Sequence, residues 1–321
     1  MPNGSLGTGA SKGNAARKQP DLGVDASLNG LALFDQKSDW NKSIDKAPVD
    51  PDSDKIIEKI GKDQPLVLGF GASGKDGKPF GIPYTVVSGD APRAAITFTY
   101  KDADPGPYPF PLMMPIEPGA GGHAIVVDRD GLKAYEASGV TADGPGFKAT
   151  SGAVWDLRDS TLRKAGEMSA DASGLPVLPG LIRYDEVNDQ REIAHALRFT
   201  AATLAKGYVA PATRSVGTKV EQYLPPAGMR VRLKKSFDDS KYPTLDKVIL
   251  KAMKKYGMIL ADAGTNWGVS GTPDMHWNDK DLASLAQLKG SDFEVVKIGT
   301  VQGLKDEPAK TDASKATKPQ S

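Results

Sequence analysis

The strongest limit on what this chain can fold into is its supply of residues that interrupt regular structure. It carries 35 glycines and 24 prolines in 321 residues, nearly one residue in five, where about 12% is ordinary. Proline removes a backbone donor and fixes φ, and glycine raises the entropic cost of any regular element. Turns and short strands are therefore expected over long helices. The extreme is DADPGPYPFPLMMPIEPGAGG, residues 102–122, with six prolines and four glycines. A loop of this length inside a folded domain is usually functional or disordered. Its aromatics and paired methionines argue for an ordered one.

Between the breakers, apolar residues alternate. IPYTVV, AAITFTY, HAIVVD, LKAYEA, SGAVWDL, GLIRYDEV, EIAHALRFT, GYVAPA and GMRVRLKKSF all read as short strands. Asp130-Gly131 between two such runs is a hairpin signal. Three stretches change to the helical period. Ile56, Ile57 and Ile60 share one face ahead of Gly61. Leu245, Val248, Ile249, Ala252, Met253 and Tyr256 trace a stripe between Thr244 and Gly257. Leu282, Leu285 and Leu288 follow Asn278. MILADAG reads as a buried strand and FEVVKI as the closing one. The expected fold is mainly β, a jelly-roll-like β-sandwich or barrel decorated by about three α-helices. A single β-rich domain is expected over residues 31–303, with a flexible N-terminal arm (1–30) and a disordered C-terminal tail (304–321), both polar and without period.

Composition narrows the function. There are 41 Lys and Arg against 40 Asp and Glu, so no basic excess marks a nucleic-acid footprint. Cysteine is absent, which removes disulfides, thiolate nucleophiles and Cys-ligated metal centres. No run of about 18 apolar residues spans a membrane, and the N-terminus lacks an apolar signal core. An exported protein would be present here in mature or truncated form. GFGASGKDG, residues 69–77, contains Gly-x-Gly without the strand–turn–helix frame of a dinucleotide site and reads as a surface turn. No cofactor and no metal is expected.

The chemistry-bearing residues are of three kinds. His123 shares strand parity with Ile125, and His195 with Ile193 and Leu197. Each is either a hydrogen-bonded residue at the edge of the core or an acid or base where a cleft opens. Glu117, Glu136, Asp171 and Glu186 are candidates for the two carboxyl groups that glycoside hydrolysis requires, and the alternative for each is a solvated or capping acid. A lyase would instead use His195 or Tyr184 as base, with Arg183 or Arg198 neutralising a uronate. Tyr108 and Trp267 are candidates to stack on sugar rings, although large aromatics more often fill cores. The hairpin turn sets Glu136 opposite Ile125, a diagonal neighbour of His123. One cleft is therefore expected to gather Glu117, His123, Glu136, Arg183 and either His195 or Arg198, which lie three apart and face opposite ways on a regular strand.

The phrases PVDPDSDKIIEKIG, FGIPYTVV, DADPGPYPFP, PIEPGAGGHAIVVD, SGAVWDLR, SADASGLPVLPGLIRYDEV, HALRFT and KKYGMILADAGTNWGVSG, in this order over about residues 34–298, resemble a widespread group of exported bacterial proteins. The resemblance implies export, to the periplasm or the medium, and a shared β-rich fold, and supplies no reaction. Where the group carries Asp-Asn-Gly-Ser-Asp-Trp, this chain has Asp262-Ala263-Gly264-Thr265-Asn266-Trp267, so the resemblance carries no role for Asp262 or Asn266. The expected function is a secreted carbohydrate-active enzyme that cleaves a polysaccharide, as glycoside hydrolase or polysaccharide lyase. The alternative is a non-catalytic extracellular binding or structural protein of an envelope or filament, self-assembling through its terminal arms.

Overall fold

A computed structural model describes residues 18–119 and 121–304. Its strands are β1 (Gly23–Val24), β2 (Val67–Leu68), β3 (Tyr84–Val87), β4 (Ile96–Phe98), β5 (Ala124–Asp128), β6 (Lys133–Ser138), β7 (Thr141–Asp143), β8 (Gly146–Ala149), β9 (Ser151–Asp156), β10 (Leu197–Ala201), β11 (Arg230–Leu233), β12 (Met258–Ala263), β13 (Gly268–Val269) and β14 (Phe293–Val295). The helices are α1 (Ser53–Ile60), α2 (Thr244–Lys255) and α3 (Asp279–Leu285). The protein is mainly β with a few helices, as the alternation implied.

Three mixed sheets form layers. The middle sheet has order β1-β3-β5-β6-β9, the larger one β14-β11-β12-β10-β13-β2, and the smallest β4-β8-β7. β5 is buried along its whole length, as a strand covered on both faces must be. Its side chains divide by parity. Ile125 and Val127 join the main core with Leu197, Phe199, Met258 and Leu260 of the larger sheet. Ala124 and Val126 join a second core with Phe147, Ala149, Tyr108 and Phe110. The breaker-rich loop thus supplies its aromatics to the second core, and Tyr108 bridges Ala94. The helices end as their sequences imply. Gly61 and Gly257 take φ of 113° and 70°, and the Asn278 side chain accepts the N–H of Lys280 and Asp281.

Two expectations change. Residues 18–30, expected within a flexible arm, are packed: β1 pairs with β3, Leu28 is fully buried, and the Leu28 N–H and Ser27 hydroxyl both bond to Asp185. Residues 1–17 and 305–321 lie outside the described residues, and with them the proposed assembly arms. GLIRYDEV is not a strand. It forms a 3-10 turn at Leu178–Gly180 and a π-helical turn at Glu186–Gln190, where the Asp185 side chain accepts the Glu186 N–H. A local cap outcompeted the apparent alternation.

Candidate functional site

Two buried polar clusters emerge from this frame. The first begins where the breaker-rich loop enters β5. The backbone N–H of Glu117 donates to the His123 carbonyl at 2.8 Å, which folds the Glu117 carboxylate over the His123 ring. Glu117 Oε2 accepts from His123 Nδ1 and, at 3.3 Å, from the His123 backbone N–H. Gly121 makes this possible, because a Cβ there would lie 2.5 Å from Glu117 Oε2. The other ring nitrogen, Nε2, sits 4.0 Å from Asp171 Oδ1.

Asp171 is wholly buried and is gripped by Arg198 of β10, through Nη2 and, at 3.2 Å, through Nε. The remaining nitrogen, Nη1, donates to Ser270 Oγ at 2.6 Å. Beside them Asp262, half-buried near the end of β12, accepts the Ala172 N–H at 3.2 Å and the Ala263 N–H at 2.7 Å. Beneath lies Glu136 of β6, opposite Ile125 as the hairpin turn implied. It accepts from the Val177 N–H (2.9 Å), the Leu178 N–H (2.8 Å) and Trp155 Nε1 (3.0 Å).

The electrostatics pull these carboxyls apart. Burial pushes Glu117 up, but the hydrogen bonds and charge of His123, with the charge of Arg198, together outweigh this and leave the carboxyl below its ordinary value. Burial presses His123 down, but Glu117 and then Asp171 raise it above the ordinary imidazole value. Asp262 is raised by burial and by the charge of Asp171. Glu136 is pushed up to about 7, chiefly by burial. The cluster therefore holds an ion pair, Glu117–His123, beside a carboxyl that tends to keep its proton.

A cavity of about 510 Å³ opens one residue from Asp171. Ala172 forms part of its wall, with Gly166, Lys206, Tyr208, Arg214 and Thr218 among the rest. The Ser173 carbonyl accepts both the Thr213 and the Arg214 N–H, at 2.9 and 3.1 Å, so the segment that carries Asp171 and the cavity wall are one hydrogen-bonded piece.

The second cluster lies elsewhere. Arg183 Nη2 donates to Glu186 Oε1, and His195 Nε2 lies 3.1 Å from Glu186 Oε2. His195 Nδ1 donates to the Ala196 carbonyl at 2.8 Å. These three side chains line a cavity of about 260 Å³ with Leu31, Asn41 and Glu192. Burial pushes Glu186 up, but Arg183 and His195 bring it below its ordinary value.

Glu117, His123, Asp171 and Arg198 are thus brought together, with Glu136 below them. Glu186, Arg183 and His195 are not part of that group. His195 precedes β10 and contacts Glu186, while Arg198 lies within β10 and holds Asp171. Three further expectations fail. Tyr108 is fully buried, its hydroxyl on the Asp104 carbonyl. Trp267 is fully buried and stacked between Phe199 and Phe293. Neither ring can meet a sugar. Tyr184 sits against His276 and Trp277, and burial raises its hydroxyl further, against a role as base. Arg183 and Arg198 each already hold a carboxylate.

Asp262 and Ser270 were missed. The available signal for Asp262 was a lone acid closing the apolar run MILA. Among the described residues no three His, Asp or Glu side chains gather as a metal site, and no helix is long and apolar enough to cross a membrane. No family model, no curated protein and no solved structure matches the chain.

Proposed function

We propose that the protein is an exported carbohydrate-active enzyme, a glycoside hydrolase, that cleaves a polysaccharide at the first cluster. The observation that carries this reading is the pair of solvent-reaching carboxyls with opposite tendencies. Asp262, half-buried beside the cavity wall, is pulled toward its protonated form, while Glu117 is held ionised by His123. Glycosidases need this division: one carboxylic acid to protonate the leaving oxygen and one carboxylate on the other side of the reaction.

In this reading Asp262 gives its proton to the glycosidic oxygen as the bond from that oxygen to the anomeric carbon breaks. Water adds to the anomeric carbon and its proton passes to Glu117. Asp171 and Arg198 act as positioning residues. Their buried pair faces His123 on one side and Asp262 on the other. Export rests on the resemblance described above.

The test is the full chain incubated with a broad panel of polysaccharides, read for new reducing ends and for near-ultraviolet absorbance. Reducing ends without absorbance are expected. Asp262→Asn should lower turnover by roughly 10²–10⁴-fold, the usual worth of a positioned acid. Absorbance would mean elimination and overturn hydrolysis. Silence over the whole panel would overturn the enzyme and leave the non-catalytic binding protein.

A further inference from the structure

We infer that the 510 Å³ cavity beside Asp171 and Asp262 selects an anionic sugar unit, so that the substrate is an acidic polysaccharide and not a neutral one. This deepens the hydrolase reading and rests on it for the word substrate, but the binding it asserts does not need turnover.

The cavity's size falls within the roughly 300–1,000 Å³ of small-ligand clefts. Among the described residues its lining includes the cation Arg214, a second cation in Lys206 that is already engaged, the phenol Tyr208, the hydroxyls Ser215 and Thr218, and no carboxylate. Among the described residues Arg214 forms no ion pair. Its guanidinium lies 5.9 Å from the centre of the Tyr100 ring, a distant stacking contact that leaves its donors to other partners. A guanidinium fork matches a carboxylate or sulfate oxygen pair. Ser215 has a different task. It accepts the Gly207 N–H and donates to the Gly217 carbonyl, each at 2.8 Å, and so holds the loop that forms the wall.

The position matters as much as the charge. Arg214 and Thr213 are tied through their backbone N–H groups to Ser173, two residues beyond Asp171. Ala172 bonds Asp262 and also lines the cavity. An oxyanion seated on Arg214 is therefore registered against the reacting carboxyls. Glu117 and Asp171 are already paired with His123 and Arg198, and the Arg214 guanidinium supplies the attraction for an oxyanion. A neutral glycan would gain nothing from it.

The experiment uses the full chain and two kinds of readout. Calorimetry with Asp262→Asn, which need not turn over, measures binding of oligouronates, of sulfated oligosaccharides and of neutral oligosaccharides of equal length. Binding of one or both anionic kinds is expected, weakening as salt screens it. Arg214→Gln should weaken anionic binding roughly 10–100-fold, the worth of one charge-assisted hydrogen bond, with Arg214→Lys recovering part of it. With polysaccharides, Arg214→Gln should lower kcat/KM for the acidic polymer, chiefly through a raised KM. Neutral oligosaccharides binding as well as anionic ones, or Arg214→Gln acting on both alike, overturns the inference. Arg214-dependent anion binding without cleavage of any polymer overturns the hydrolase reading and leaves the anionic site standing.

Discussion

Arg198 and Arg183 are hidden from water almost equally, at 4% and 2% exposed, and both pair with a buried acid. They differ in what happens to the rest of the guanidinium. Every nitrogen of Arg198 has a partner, in Asp171 and Ser270. Among the described residues Arg183 has one bonded nitrogen, while Nε and Nη1 have no protein hydrogen-bond partner, and Asp185 stands off Nε at 3.9 Å. Pairing a charge and satisfying its donors are separate requirements. Where both are met, the group is a rigid strut, suited to holding Asp171 beneath His123. Where only the first is met, the remaining donors are left to the cavity that Arg183 lines.

This comparison fixes the largest expected effects. Arg198→Met strands Asp171, which has no exposure at all, and should cost about 3–5 kcal/mol by urea unfolding. Adding Asp171→Leu should recover much of that loss. Arg183→Met should cost less, about 1–2 kcal/mol, because Glu186 keeps His195 and borders a cavity. Equal losses at the two sites would remove the distinction between them.

Glu136 tests the floor of the first cluster. Its carboxyl moves from an ordinary 4.5 to about 7 on folding. Between those values the folded protein binds more proton than the unfolded chain, so the stability contributed by Glu136 is full below about pH 4.5 and falls as pH rises toward 7. The span corresponds to about 3 kcal/mol. Glu136→Leu should flatten this fall in unfolding free energy between pH 5 and 7.5. It should also lower stability throughout, since it strands the N–H groups of Val177, Leu178 and Trp155. An unchanged slope would mean that the carboxyl stays ionised in place, held by those three donors.

The two clusters were unequally legible in the sequence. The Asp130-Gly131 turn gave the β5–β6 register down to Ile125 opposite Glu136, because a two-strand ribbon is set by its turn. The helices were legible from stripe and cap. The second cluster was hidden by LIRYDEV, whose alternation imitates a strand. The competing signal was present: Arg183 and Glu186 stand three apart, the spacing of a helical ion pair. The first cluster's central contacts are non-local. Asp171 and Arg198 are 27 residues apart, Arg198 and Ser270 72, and no periodicity reports such a pair. Trp267 and Tyr108 illustrate the same limit, since an aromatic residue reads alike in a core and in a groove.

The Glu117–His123 pair is the more exposed ion pair of the first cluster. The Glu117 side chain is 22% exposed and that of His123 10%, so solvent screens their ion pair more than it does Asp171–Arg198. Glu117 is lowered from 4.5, and its contribution is present above that value and lost as pH falls through the folded-state value. His123 is raised from 6.5, and its contribution is full below that value and lost as pH rises through the folded-state value. One pair produces both shifts, so it stabilises most between about pH 4.5 and 6.5 and weakens on either side. Glu117→Gln keeps the side-chain size and removes the charge, at a cost of about 1–2 kcal/mol within that window and less outside it. It should also shift the His123 titration, followed by its ring-proton resonance, toward lower pH. A His123 midpoint unmoved by the substitution would mean that Asp171, from 4.0 Å, and not Glu117, sets the charge of the ring.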